Sequence, residues 1–205
     1  FEYSAPQTID KKMPAIFLFH GYRSNEKDLL PLVKSLRDTH HIFSLRGSIA
    51  FLQGGYAYWD IEAYDRPVRK EYDQAMETVQ AFIRKAIQEY NLDSTDMTFL
   101  GFSQGAVLVQ SLALTVGKPI SKVVALSGYV PYFVKEKEYH KQAVDHLNIF
   151  ISHGINDTVA PYWWGEESRD YFESLGAHVT FKTYSSDHYV SPENKRDVIK
   201  FIKGT

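Results

Sequence analysis

The sequence has 205 residues, a length typical of one domain with a sizeable buried core, so we expect a single domain over residues 1–205. Its 23 Lys and Arg stand against 25 Asp and Glu, and the resulting net charge of −2 argues against a nucleic-acid-binding protein. The chain contains no Cys, which excludes a disulfide framework, a cysteine-ligated zinc or iron–sulfur site and a cysteine nucleophile.

Hydrophobic residues are distributed as in a water-soluble domain. No apolar run approaches the roughly 18 residues that a membrane span needs, so we expect no integral membrane segment. The first residues also lack the basic region and apolar core of a secretory signal, so we expect a cytoplasmic location. The chain does not begin with Met, which leaves a removed leader open.

Short apolar runs alternate with amphipathic segments along the chain. In chain order, the pattern predicts a strand at 15–19, a short helix at 29–36, a strand at 42–45, a long helix at 68–90, a strand at 97–100, a helix at 104–116, strands at 123–126, 149–151 and 178–184, and a last helix after the Ser191 cap. Alternation of this kind is typical of an α/β fold, with a mostly parallel sheet and helices on both faces. Residues 47–65 and 129–140 lack a clear pattern, and we expect these loops to contribute to binding.

The most specific motif is G-x-S-x-G at residues 101–105, which follows a predicted strand and precedes a predicted helix. A serine at this junction occupies a strained turn, and glycine two positions to either side lets the turn close. The hydroxyl of Ser103 then lies at the carboxyl edge of the sheet, near the positive end of the following helix. We therefore predict Ser103 as a nucleophile.

A serine nucleophile needs a base, and the base needs a carboxylate to orient it. After this motif the chain order is Ser, acid, His. His188 follows the last predicted strand, so it lies at the same edge as Ser103 and is the predicted base. His153 also follows a predicted strand and is a second candidate for the base, but it fits better in the turn that presents the acid. The remaining histidines after the motif are less well placed to act as the base: His140, His146 and His178.

Asp157 is the predicted acid because it lies just beyond the strand at 149–151. Asp187 is the second candidate. It ranks below Asp157 because it adjoins His188, and neighbours in sequence rarely face each other well. Stabilising a developing oxyanion requires two backbone N–H groups. We assign them to Gln104, directly after the nucleophile, and to Tyr22, where Gly21 lets the loop after the first central strand approach closely.

Four motifs together resemble the phospholipase/carboxylesterase family of α/β-hydrolases, which includes acyl-protein thioesterases. They are His20-Gly21 with residues 25–32 behind it, the segment GGYAYWD at 54–60, the elbow at 101–106 and the acid turn H-G-x-x-D-x-V-x-P at 153–161. The resemblance covers nearly the whole chain and implies an α/β-hydrolase fold without a large cap. It also implies Ser103, Asp157 and His188 as the catalytic triad. One departure is Asp187, where the family often has Gly.

These observations favour a serine carboxylesterase that forms an acyl-enzyme and hydrolyses esters of short to medium acyl chains. Acyl-protein thioesterase or lysophospholipase activity on the same triad is the alternative. We expect Gly21, Trp59 and Val159 to bind substrate, with further loop aromatics lining an apolar acyl site, namely Tyr58, Tyr132, Trp163 and Trp164. A non-catalytic binding protein with the same fold, and a peptidase or amidase, are weaker readings.

The expected ligand is a small-molecule ester or thioester, and the predicted chemistry requires neither a cofactor nor a metal. A metal hydrolase using His40 and His41 is disfavoured, because adjacent residues of a strand point to opposite faces. The abundance of Tyr and Phe leaves a homodimer open.

Overall fold

A central sheet organises the structure, a computed structural model that describes residues 1–7, 12–137, 139 and 141–205. The described part of the chain has eleven strands, which are β1 (Glu2–Ser4), β2 (Met13–Phe19), β3 (His41–Leu45), β4 (Ile49–Ala50), β5 (Tyr56–Ala57), β6 (Ile61–Ala63), β7 (Arg66–Pro67), β8 (Leu92–Phe102), β9 (Ile120–Leu126), β10 (Asn148–Gly154) and β11 (His178–Tyr184). Seven of these form one sheet in the order β1-β3-β2-β8-β9-β10-β11. Only the pair of β1 and β3 is antiparallel within it.

Helices connect the parallel strands. The described residues form α1 (Arg69–Glu89), α2 (Gln104–Val116), α3 (Tyr132–Lys135), α4 (Trp163–Ser174) and α5 (Pro192–Lys203), together with a 3₁₀ turn at Lys34–Leu36. As predicted, Ser191 caps α5, where its Oγ accepts a hydrogen bond from the N–H of Asn194 at 3.2 Å. None of the helices in the described regions is both long enough and apolar enough to cross a bilayer.

The two faces of the sheet bury separate apolar clusters. Alternate residues of β2 point to opposite faces, so that Phe17 lies in one cluster and Ile16 in the other. The first cluster includes the buried sides of α1, α2 and α4, and the second includes α5 and residues of the segment 29–36. The predicted α/β class, with a mostly parallel sheet covered on both faces, is therefore confirmed.

The predicted helix at 29–36 is wrong. The segment forms successive turns that end in the 3₁₀ turn at Lys34–Leu36. Pro31 has no N–H to donate to a helical hydrogen bond, and Leu32 instead donates to the carbonyl of Leu29, three residues earlier. The segment still buries Leu29, Leu32 and Leu36, because turns of this spacing also present one side to the sheet.

Two features at the carboxyl edge differ from the sequence expectations. Residues 47–65 contain the first hairpin, β4–β5, and the start of the second, β6–β7, whose strands of two or three residues are too short to show an alternating pattern. Helix α4 begins at Trp163, although both Trp163 and Trp164 were predicted in a loop. Two of its buried residues are Gly165 and Ser168, so apolar periodicity does not reveal this helix. In the described ranges, these hairpins and the short α3 do not amount to a cap domain.

Candidate active site

Ser103 lies in a strained turn between β8 and α2, with φ of 53° and ψ of −115°. A Cβ on Gly101 would overlap the backbone of Gly105, and a Cβ on Gly105 would overlap the carbonyl oxygen of Phe19. The two glycines of the motif are therefore required by close backbone approach, which agrees with the physical reason for predicting them. The turn also places Ser103 at the N-terminal end of α2.

The close approach at Gly105 gives a stability prediction. Gly105→Ala is expected to lower the free energy of unfolding by about 3 kcal/mol or more, because backbone atoms of β2 or α2 must move to admit the methyl group. Gly21→Ala is the matched control: its nearest contact would be 3.3 Å from the Cβ of Ser103, and we expect it to cost less than about 1 kcal/mol. Urea unfolding of both variants measures the difference, and equal losses would contradict the steric explanation.

Ser103, His188 and Asp157 lie in hydrogen-bond contact. The Nε2 of His188 is 2.9 Å from the Oγ of Ser103, and its Nδ1 is 2.8 Å from the Oδ2 of Asp157. The three residues follow β8, β11 and β10, whose carboxyl ends meet at one edge because the strands are parallel. The ring of Phe102 packs against the imidazole with a centroid separation of 4.9 Å, which helps to hold its orientation.

The Asp157 side chain is fully buried. Burial alone would raise its pKa, but hydrogen bonds from His188 and from the N–H groups of Ala160 and Val159 hold the pKa below its ordinary value. The two amides donate to Oδ1 at 2.7 and 2.9 Å, which leaves Oδ2 for the imidazole. An ionised carboxylate at this position favours a proton on Nδ1 of His188, so that Nε2 presents a lone pair to Ser103.

His153, the second candidate for the base, lies within β10 with its ring buried. Its Nε2 donates to the carbonyl of Ala160 at 2.9 Å, and burial lowers the pKa of His153, so the ring is neutral and supports the acid turn. His178 begins β11 at the opposite edge of the sheet, and His146 precedes β10. His140 is outside the described residues.

Asp187, the second candidate for the acid, bonds Thr158 and a backbone N–H, whereas the imidazole of His188 bonds Asp157. Its Oδ1 accepts hydrogen bonds from the backbone N–H and the hydroxyl of Thr158, at 2.8 and 2.9 Å, and from the backbone N–H of His188 at 2.8 Å. The carboxylate thus joins the loop that carries His188 to the loop that carries Asp157.

The loop after β2 passes beside the nucleophile at Gly21, where an added Cβ would lie 3.3 Å from the Cβ of Ser103. Tyr22 and Gln104 line the same cavity as Ser103. Among the described residues, neither the backbone N–H of Tyr22 nor that of Gln104 has an acceptor. Both N–H groups therefore lack an internal acceptor in the described part of the chain and belong to residues that line the cavity.

His20 organises this loop through two hydrogen bonds of its ring. Its Nδ1 donates to the carbonyl of Gly21 at 2.7 Å, and its Nε2 accepts from the N–H of Gly47 at 3.0 Å. Burial lowers the pKa of His20, which agrees with the neutral tautomer that these two bonds require. The ring also stacks on Tyr58 with a centroid separation of 4.9 Å.

The side chains of Gln104 and Tyr22 have contacts that the sequence reading missed. Gln104 accepts from the N–H of Tyr58 at 2.9 Å and donates to the carbonyl of Trp59 at 2.8 Å. The Tyr22 hydroxyl donates to Asp60 at 2.6 Å, and burial together with this bond raises the pKa of Tyr22 to about 12. These three bonds fasten the segment around Trp59 to the site, and no sequence pattern identifies contacts between such distant segments.

A cavity of about 50 Å³ opens beside Ser103. Trp59, Val159 and Trp164 are among its lining residues. The sequence reading missed several further lining residues, among them Ile61, Tyr64 and Tyr129. All three lie in the segments 47–65 and 129–140, which were expected to contribute to binding, and this position is their only signal in the sequence.

Three of the predicted lining aromatics lie elsewhere. Tyr58 is buried, with its hydroxyl donating to the carbonyl of Leu45 at 3.1 Å. Tyr132 is 70% exposed at the start of α3, and Trp163 is exposed at the start of α4. Neighbouring residues of a helix point in different directions, so of these two tryptophans only Trp164 lines the cavity. No group of three or more His, Asp or Glu side chains within the described residues is arranged to hold a metal ion.

A family model described as Phospholipase/Carboxylesterase matches residues 5–205 of the chain. The chain belongs to the phospholipase/carboxylesterase family. It is accordingly a serine hydrolase acting on carboxylic esters or related acyl compounds, and its fold is that of the α/β-hydrolases.

Named relatives and a solved structure agree with this family. Acyl-protein thioesterase 1 of Debaryomyces hansenii is 27% identical over 158 residues, which span 73% of this chain and 68% of the relative. Acyl-protein thioesterase 1 of Candida albicans is 30% identical over 156 residues, spanning 72% of this chain and 68% of the relative. The crystal structure of the Bacillus cereus carboxylesterase matches with a TM-score of 0.85 at 21% identity, over 99% of this chain and 92% of that chain, and shows the shared fold.

Proposed function

We propose that this family member is a carboxylesterase that hydrolyses esters of short to medium acyl chains through an acyl-enzyme on Ser103. The observation that carries the proposal is the continuous hydrogen-bonded series from Ser103 through His188 to the buried carboxylate of Asp157. In this arrangement a neutral imidazole accepts the serine proton, and the carboxylate stabilises the imidazolium that results.

In the proposed reaction, the Oγ of Ser103 bonds to the acyl carbon while its proton moves to Nε2 of His188. The carbonyl oxygen becomes an oxyanion, which the N–H groups of Tyr22 and Gln104 stabilise by about 3 kcal/mol each. The bond from the acyl carbon to the leaving oxygen then breaks, and His188 returns its proton to that oxygen. Water repeats these steps on the acyl-enzyme, with His188 accepting its proton, and releases the acid and free Ser103.

The size and lining of the cavity support an acyl group of limited length. Its wall is closed by Tyr129, whose hydroxyl donates to the carbonyl of Tyr64 at 2.8 Å and whose ring lies 4.8 Å from that of Trp164. Trp59 and Val159 add apolar surface, which suits a hydrocarbon chain. Gly21 contributes by letting the loop that carries Tyr22 approach the nucleophile.

Thioesters are the second candidate substrate class, since the named relatives are acyl-protein thioesterases. The same residues serve both classes: a thiolate leaves more readily than an alkoxide and needs less help from the proton on His188. Hydrolysis of lysophospholipids would require the cavity to admit a long acyl chain.

A series of acyl chains tests the proposal. Steady-state kcat/KM is measured for p-nitrophenyl acetate, butyrate, octanoate and palmitate, and for acyl thioesters of matched chain length. We expect the short esters to react fastest and palmitate to fall at least about tenfold below butyrate, because the cavity does not hold the longer chain. A maximum at palmitate would contradict the acyl-length assignment, and a uniform preference for thioesters would select the second candidate.

A further inference from the structure

A second concave surface lies on the other side of the catalytic histidine. It is an open groove of about 560 Å³ between the turns after β2 and the start of α5. Its apolar lining includes Leu29, Leu32, Phe102 and Val190. The Nζ of Lys195 on α5 donates to the carbonyl of Pro31 at 2.7 Å and so joins the two walls of the groove.

The groove and the cavity share no lining residue. Ser103, Gln104 and Tyr22 line the cavity, whereas His188 lines the groove. In the proposed reaction, the cavity side holds the acyl carbon and its oxyanion, and His188 gives its proton to the leaving oxygen. The leaving group must therefore depart on the side of the molecule where the groove lies.

We propose that this groove binds the leaving-group portion of the substrate and favours a bulky, uncharged, apolar alcohol. The inference rests on the proposed function, which it deepens: the substrate combines a small acyl group with a large alcohol. The groove, at about 560 Å³, has far more room than the cavity, at about 50 Å³, which suits a larger alcohol than acyl portion.

The charges of the groove favour an uncharged occupant. Its lining has one carboxylate, Asp28, and one ammonium, Lys195, so it carries no net charge. Lys195 already donates to a wall carbonyl, and the Ser191 hydroxyl accepts the cap hydrogen bond of α5. Tyr189 lies at the rim next to the catalytic histidine and is 55% exposed, so its ring is available to pack against an apolar group.

Two acetate esters with leaving groups of similar acidity but different size test the inference: ethyl acetate and 2-phenylethyl acetate. We expect kcat/KM to be about tenfold or more higher for the phenylethyl ester, since its ring is buried in the groove. Tyr189→Ala is expected to reduce this ratio severalfold. Tyr132→Ala, which removes an exposed tyrosine outside both surfaces, is the matched control and should keep the wild-type ratio.

A binding measurement supplies an independent readout. 2-Phenylethanol, the product alcohol, should inhibit hydrolysis of ethyl acetate, and inhibition should weaken in Tyr189→Ala but not in Tyr132→Ala. Equal kcat/KM for the two esters in the wild-type enzyme, with hydrolysis still dependent on Ser103, would overturn this inference and leave the proposed function intact. Loss of the size preference in both tyrosine variants alike would also overturn it. Absence of Ser103-dependent hydrolysis for every ester would overturn the proposed function and this inference with it.

Discussion

Replacing Ser103 with alanine is expected to lower kcat for p-nitrophenyl acetate by about 10⁶-fold, because no other group can form the acyl-enzyme. The remaining rate over water would come from binding and from the two oxyanion donors. Steady-state kinetics with thoroughly purified protein measure the loss. The substitution removes one hydroxyl from a site that backbone contacts maintain, so the melting temperature should change little.

Ser121→Ala is the matched control for this loss. Ser121 is in β9, where its Oγ donates to Asp96 at 3.1 Å, at the edge of the sheet away from the site. We expect this variant to retain wild-type kcat. Hydrolysis by Ser103→Ala within about tenfold of wild type would remove the basis of the proposed acyl-enzyme.

The second large effect is expected for Asp157→Asn, with kcat falling by about 10⁴-fold. The pKa of Asp157 lies below its ordinary value, so the wild-type carboxyl group is ionised at neutral pH. An amide cannot stabilise the imidazolium in the same way. If its NH₂ group faces Nδ1, it also favours the tautomer that carries the proton on Nε2, which cannot accept the proton of Ser103.

Asp187→Asn provides the control, since Asp187 was the second candidate for the acid. Its Oδ1 accepts hydrogen bonds from Thr158 and from the backbone of His188, and an asparagine oxygen can accept the same bonds. We expect a loss of less than about tenfold, corresponding to weakening of one or two hydrogen bonds. A larger effect at Asp187 than at Asp157 would reverse the assignment of the acid.

Features encoded by nearby residues could be predicted from the sequence. The elbow is one example, because its strained serine and its two glycines lie within five consecutive positions and meet the same backbone constraint. The continuous apolar runs predicted the central strands for a similar reason, since burial on both faces leaves no room for polar residues. Helix α2 was bounded correctly, at Gln104–Val116, because Gly117 ends it.

Features that depend on distant contacts could not be predicted in the same way. The cavity wall at Tyr129 depends on a bond to the carbonyl of Tyr64, which lies 65 positions earlier. The side chain of Gln104 reaches Trp59 across a comparable separation. At residues 29–36 the sequence pattern instead predicted an element that does not form. The apolar spacing suggested a helix, but Pro31 and local hydrogen bonds give successive turns.

Covalent labelling with a fluorophosphonate probe tests the central claim most directly, because the probe reacts with an activated serine and remains attached. We predict that peptide mass spectrometry will find one label, on Ser103, and that labelling will abolish ester hydrolysis in proportion to occupancy. His188→Ala should slow the labelling strongly, since the hydroxyl then lacks its base. Full hydrolytic activity in completely labelled enzyme, or a label on another residue with Ser103 unmodified, would contradict the account.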